Sequence, residues 1–203
     1  MRTIENGKYR LDIELSAYPE NPREYSDHDS KMLCFHNSYS IGDKNNDYNP
    51  NDYCSWGEFY DEIIRRENPT VILPIYAYEH GGITISTKRT GQYADRWDSG
   101  QLGFIFMSCE VARKRLGVKR ISSKMRERVT NWLLNEVEEV EQYLQGDVYS
   151  FTITNVEDDE VIDTCNGFYG SNFWTNGMWD NIDKEIVESL IDQLTEEFGE
   201  KPI

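Results

Sequence analysis

Apolar and polar positions alternate early in the chain with the two-residue period of a strand that buries one face. Lys8–Leu15 (KYRLDIEL) follows this alternation and Met32–His36 repeats it in shorter form, so both predict strands. Ser40–Tyr53 (SIGDKNNDYNPNDY) is crowded with turn formers and predicts an exposed loop. From Trp56 the period lengthens. Trp56, Phe59, Tyr60, Ile63 and Ile64 recur at helical spacing up to Arg66, with Pro69 shortly beyond the end. Val71–Tyr78 and Ile83–Thr87 flank Glu79-His80-Gly81-Gly82 and predict a hairpin, with Pro74 weakening its first arm or placing it at an edge.

In the second half, Gly103–Ser108 (GFIFMS) predicts a short buried strand feeding a helix from Glu110 to Leu116. The longest helix runs from Ser123 to Leu144, with Met125, Val129, Trp132, Leu133, Val140 and Leu144 on its core face. Asp147–Thr154 and Val161–Cys165 predict two strands bracketing an acidic turn, and a last helix from Ile182 to Phe198 buries Ile186, Val187, Leu190, Ile191 and Leu194. Strands, then helices, then strands again, without regular β-α-β alternation, predict an α+β fold. The expectation is a single domain over residues 1–203, with a largely antiparallel sheet packed against two longer helices and shorter ones.

Charge changes the picture more than composition does. The 203 residues carry a net charge of −16, yet Arg113, Lys114, Arg115, Lys119, Arg120, Lys124, Arg126 and Arg128 form a basic block opposed only by Glu127. After Asn155 the sign reverses, with 13 Asp and Glu against Lys184 and Lys201. Such a surface repels nucleic acid at long range and attracts basic proteins, so direct DNA binding is not expected. Hydrophobic residues at 38% and aromatics at 13% are lean but sufficient for a core. No apolar run approaches the roughly 18 residues that span a bilayer and the first residues lack a signal-peptide core. A soluble, intracellular protein without a membrane partner is therefore expected.

The long helix has its charges against its own dipole. Lys124, Arg126 and Arg128 stand at its positive end and Glu136, Glu138, Glu139 and Glu141 towards its negative end, each costing about 0.3–1 kcal/mol when poorly screened. Either an anion docks at the helix start beside Lys119, Arg120 and Lys124, or the bases pair with the chain's own carboxylates. In the last helix Glu185, Glu188, Asp192 and Glu196 recur opposite the apolar face, about one carboxylate per 6 Å, roughly half the linear charge density of a DNA strand with a phosphate every 3.4 Å. Together with Asp158, Asp159 and Glu160 of the acidic turn, and with Glu136–Glu141, this stripe is a candidate partner-binding face that imitates nucleic acid. A soluble amphipathic helix is the plainer reading.

Chemistry-bearing motifs are few. His36 follows Cys34-Phe35, His80 sits in a glycine turn, and Trp97-Asp98 and Trp174 lie in aromatic–glycine segments. These residues are candidates for lining a pocket, against the alternative that they seal ordinary cores. A Cys–His nucleophile pair is one further option, since such partners meet in space from distant positions. Cys34, Cys54, Cys109 and Cys165 are widely spaced with no C-x-x-C, so no zinc site is expected and free thiols are the default. No phosphate-loop, zinc-protease or nucleophile-elbow signature occurs. The pattern favours a binding protein over an enzyme, with no cofactor.

Cys34-Phe35-His36, Tyr39–Lys44 (YSIGDK), Leu73–Thr87 (LPIYAYEHGGITIST), Trp97–Gly103 (WDSGQLG), Tyr143–Tyr149 (YLQGDVY) and Gly167–Ser171 (GFYGS) together resemble a family of small acidic accessory proteins of bacteriophages and mobile elements, for which no reaction is established. Members often carry a Ser-Cys-Pro-Trp-like run before the Asp-Ser-Gly. This chain has Tyr93-Ala-Asp-Arg-Trp97 instead, so no cysteine role carries over. The resemblance implies an accessory phage gene acting in the cytoplasm of the infected host. By genome-context analogy it implies an inhibitor of host defence, of anti-CRISPR or antirestriction type, whose partner is a host protein with a basic nucleic-acid channel. The alternative is an anti-defence protein that binds or cleaves a nucleotide signal through residues 113–128. Either is compatible with an oligomer.

Overall fold

The computed structural model describes residues 1–24, 28–44, 47–95 and 97–202. Among these the elements in chain order are β1 (Arg2–Glu5), β2 (Tyr9–Leu15), β3 (Lys31–Cys34), α1 (Trp56–Glu67), β4 (Pro69–Glu79), β5 (Ile83–Ser86), β6 (Ser99–Ser108), α2 (Cys109–Leu116), α3 (Ser123–Leu144), β7 (Val148–Asn155), β8 (Glu160–Tyr169), α4 (Met178–Asn181), α5 (Lys184–Ser189) and α6 (Ile191–Phe198). The class is α+β and every strand pair is antiparallel, as the sequence predicts, but the strands form two four-stranded sheets. The chain divides into two compact units, a smaller one of residues 1–20 and 146–203 and a larger one of residues 21–145.

In the larger unit the sheet order is β3-β6-β4-β5. The GFIFMS run is buried on both faces because alternate side chains meet different helices. Ile105 and Met107 pack with Val129, Leu133, Val137 and Val140 of α3, while Phe104 and Phe106 pack with Phe59 and Ile63 of α1. Gly103 permits this stacking: a Cβ there would fall 1.8 Å from the Leu33 carbonyl oxygen of β3. Pro74 lies in an interior strand, but β5 pairs only with Tyr76–Glu79. β4 is therefore open on that side at Pro74, the edge-like position a strand proline requires.

Ser55 caps α1 by accepting the Glu58 N–H, and Ser122 caps α3 by accepting the Met125 N–H. The predicted bounds of α3 coincide with those observed. In the predicted loop Ser40–Tyr53, residues 45 and 46 lie outside the described residues; Ile41 and Tyr48 are buried rather than exposed, each packed into the core on one face of the sheet.

The smaller unit has sheet order β1-β2-β7-β8. Ile4, Leu11, Ile13, Phe151 and Ile153 point from one face into a core closed by Phe173, Trp174, Met178, Ile186, Leu190 and Leu194. The predicted single helix from Ile182 to Phe198 is two short helices. Leu190 leaves helical geometry at φ −103°, ψ 5°, its N–H shared between the Ile186 and Val187 carbonyls, and the ladder restarts with the Leu194 N–H donating to the Leu190 carbonyl. Asp183 caps α5, and α4, α5 and α6 each carry an acid in the first turn, where the helix dipole favours it.

Candidate functional site

The acidic residues after Asn155 form the first candidate surface. All 13 are exposed. The smaller unit holds 18 Asp and Glu against 5 Lys and Arg, a net charge of −13, whereas the larger unit holds 19 against 16, a net charge of −3. Of the net charge of −16, −13 therefore falls in the smaller unit, where few Lys and Arg offset the acids. Among the described residues these 13 make three ion pairs: Arg10 with Asp159 at 2.9 Å, Lys184 with Glu188 at 3.6 Å and Arg2 with Glu197 at 3.4 Å. Asp158, Asp159 and Glu160 lie at the β7–β8 turn, with Asp159 at φ 55°. Because α5 and α6 are separate, Glu185 and Glu188 belong to one short helix and Asp192 and Glu196 to the next, so the four do not form one regular stripe.

Glu136, Glu139 and Glu141 are not part of a free acidic face. Arg23, with 1% of its side chain exposed, pairs with Glu136 at 2.6 Å and with Asp43 at 2.7 Å, and donates to the Ser30 hydroxyl and carbonyl at 3.2 Å each. The Ser30 hydroxyl also donates to Glu136. Burial pushes the Glu139 carboxyl up, with the Glu136 charge adding and His28 and Arg23 opposing. Burial likewise raises Glu141, which accepts the Ile85 N–H and is lowered by it in part. Of the acids that run against the α3 dipole, Glu136 and Glu141 are engaged within the larger unit, Glu139 is partly buried and Glu138 is exposed.

The basic block divides. Arg115 pairs with Asp29 at 2.7 Å and lies over the Trp132 ring, Arg126 donates to the Thr70 carbonyl, and Arg128 also faces Trp132. Arg113, Lys114, Lys119, Arg120 and Lys124 are exposed and make no ion pair among the described residues. Self-pairing therefore accounts for little of the block. At the start of α3 the Ser122 hydroxyl accepts the Met125 N–H.

Two of the three histidines, His36 and His80, lie at one end of the larger unit's sheet. The His36 Nδ1 accepts the N–H groups of Ser38 and Tyr39 at 3.1 Å each, which leaves Nε2 as the donor of the neutral ring, and Nε2 lies 3.0 Å from Glu79 Oε1. The next residue, His80, places Nδ1 3.4 Å from Asp98 Oδ2 and stacks on Tyr78. Two imidazole–carboxylate pairs thus flank the end of β4. Trp97 is 93% exposed on a turn held by Asp95, which accepts the Trp97 and Asp98 N–H groups. These bonds hold the Asp95 carboxyl below its usual range. Its neighbour Arg96 lies outside the described residues.

Trp174 does not join this group: it belongs to the smaller unit, is buried, and donates its indole N–H to the Gly199 carbonyl at 2.9 Å. Desolvation pushes the Cys34 thiol far up, Asp43 adding and Arg23 opposing, which disfavours its thiolate form. No cluster of three or more His, Cys, Asp or Glu suited to a metal ion occurs among the described residues.

Sequence reasoning missed a cavity of about 270 Å³ beside Tyr53, Trp56 and Phe59 at the start of α1; a second of about 270 Å³, in the smaller unit, is lined by the candidate pocket residue Trp174 together with Trp179. It also missed Glu79 as the partner of His36. A carboxylate at a predicted strand end beside a histidine turn is the signal that points to it. Among the described residues no helix is long and apolar enough to cross a membrane. Fold and site together define an acidic α+β protein with a strongly polarised charge distribution. No protein-family model, curated protein or solved structure matches the chain.

Proposed function

We propose that this chain is a non-enzymatic inhibitor of a host defence nuclease, of anti-CRISPR or antirestriction type, that occupies a Lys/Arg-lined nucleic-acid channel with carboxylates in place of phosphates. The observation that carries this reading is the concentration of −13 of the −16 net charge in the smaller unit, with all 13 acids after Asn155 exposed. Such a field speeds association with a basic partner and makes the complex salt-sensitive. The resemblance to phage accessory proteins selects the target class and the infected cell's cytoplasm as the place of action. Reversing Glu188, Asp192 and Glu196 to Lys is expected to abolish inhibition in cleavage assays against a panel of CRISPR effectors and restriction enzymes, with the melting profile retained. Full inhibition by that triple variant would overturn the reading.

A second reading has its own support in Arg113, Lys114, Lys119, Arg120 and Lys124, five exposed cations without an ion pair among the described residues. In it, the block captures a phosphorylated ligand such as a nucleotide signal. It requires that mono-, di- or cyclic nucleotides raise the melting temperature and that Lys119→Ala or Arg120→Ala removes the shift. No response at millimolar nucleotide would dismiss it.

A further inference from the structure

The cavity in the smaller unit is walled by Trp174, Trp179, Val187 and Ile191, and the exposed carboxylates Asp180 and Glu188 line it as well. Lys184 and Lys201, which are all the Lys and Arg the chain carries after Asn155, both belong to this lining. Lys184 is held by Glu188, one helical turn on. Lys201 behaves differently. Its Nζ lies 3.0 Å from the centroid of the Trp179 ring, and no carboxylate pairs with it among the described residues. In a unit with so large a surplus of exposed carboxylates, a lysine that settles on an indole face marks that face as a place where a cation is held, through attraction to the negative face of the ring.

We propose that this cavity is the anchor site for a Lys or Arg side chain of a basic protein partner, and that Lys201 fills the position in the free protein and is displaced on binding. The inference rests on the acidic-face reading above and specifies where on that face a partner's cation is desolvated. Charge selects the occupant. The field of the unit opposes an anionic ligand. The apolar walls accommodate the hydrocarbon stem of Lys or Arg, the indole takes the charged head, and Glu188 and Asp180 accept its remaining hydrogen bonds. A neutral apolar side chain would satisfy the walls and bring no counter-charge to Asp180, while Glu188 keeps only Lys184. Because Lys201 competes for the position, apparent affinity falls by the fraction of molecules in which the position is open.

The test uses the full chain and a fluorescently labelled Gly/Ser peptide bearing three arginines, with a three-glutamate counterpart as control, at about 50 mM salt. Lys201→Ala is compared with Lys8→Ala, which removes the same charge from the same unit but from beside Tyr9. Lys201→Ala is expected to tighten the arginine peptide by about two- to five-fold over Lys8→Ala, the range of one exposed cation–π contact. Trp179→Ala is expected to weaken binding at least as much, and Trp179→Phe, which keeps a ring, to lose less. Reversal of Asp158, Asp159 and Glu160 to Lys, outside the cavity, tests the field of the unit, with the Arg10–Asp159 pair lost as well, and is expected to weaken binding in every background.

Equal affinities of Lys201→Ala and Lys8→Ala, or wild-type affinity in folded Trp179→Ala, overturn the anchor proposal. If the 158–160 reversal still weakens binding in that case, the acidic-face reading survives. Absence of arginine-peptide binding by every form, or indifference to the 158–160 reversal, overturns both. Should Trp179→Ala fail to fold, the Lys201 and Lys8 pair decides.

Discussion

Arg23 enters the larger unit as a guanidinium almost without access to water, and its fork is filled by Asp43, Glu136 and Ser30. A buried charge is tolerable only when its partners are in place, and removing one partner costs about 3–5 kcal/mol because the others are left uncompensated. Arg23→Ala is accordingly expected to lower stability by that order in urea unfolding at pH 7. Arg23→Lys, which keeps the charge and loses the planar fork, is expected to recover only part. An unchanged midpoint in Arg23→Ala would contradict the network.

Glu139 provides a second test at this scale. Its folded carboxyl is raised above the unfolded one, chiefly by burial. Its contribution is therefore fully present below the ordinary carboxylate range, near pH 4.3, and is lost as pH rises through the elevated folded value. Relative to Glu139→Gln, the wild type should gain stability as pH falls from 7 towards that range. The other shifted carboxylates, Glu141 up and Glu62 and Asp95 down, are common to both proteins and cancel in the comparison. Parallel melting curves across pH for the two proteins would remove Glu139 from the account.

At the scale of elements, the packing of β3 on β6 depends on one missing side chain. An alanine Cβ at 103 would meet the backbone carbonyl of Leu33 at 1.8 Å, and backbone cannot yield as a side-chain tip does. Gly103→Ala is expected to cost at least the 1–3 kcal/mol of an overpacked core, with amide exchange accelerated first in Lys31–Cys34. Protection of those amides equal to wild type would show that the strands can separate without penalty. The sequence made α3 legible because Ser122 supplies a cap and the apolar period runs unbroken to Leu144. It hid the break at Leu190, since neither Gly nor Pro marks it and the residue keeps its place in the apolar period while its backbone leaves the helix. β1 escaped notice because four residues with a single inward side chain, Ile4, carry no period. The start of β6 was also hidden, as Ser99–Gln101 contains no apolar residue. For the candidate sites, charge clusters were readable locally. The His36–Glu79 pair and the Lys201–Trp179 contact were not, because tertiary packing alone brings together residues 43 and 22 positions apart.

Across the whole molecule, a smaller unit at −13 and a larger unit at −3, with five cations that make no ion pair among the described residues, set two opposite expectations for nucleic acid. If the carboxylates are the working surface, the complex with a basic partner weakens as salt rises from about 50 to 500 mM, because exposed pairs are screened beyond a Debye length of about 10 Å at 0.1 M, and free nucleic acid competes with the protein for that partner. The protein alone then does not bind duplex or single-stranded DNA. Lowering the salt does not rescue binding, since a screening length of about 30 Å at 0.01 M lets the acidic unit repel the polyanion from farther away. If residues 113–128 are the working surface, lowering the salt has the opposite consequence for DNA. DNA binding appears at low salt and falls off with a slope set by the phosphates neutralised, and it is reduced by Lys119→Ala and Arg120→Ala. Fluorescence anisotropy of labelled DNA against the protein at about 20 and 150 mM salt separates the two. Micromolar binding at the higher salt would transfer the function from the acidic unit to the basic block.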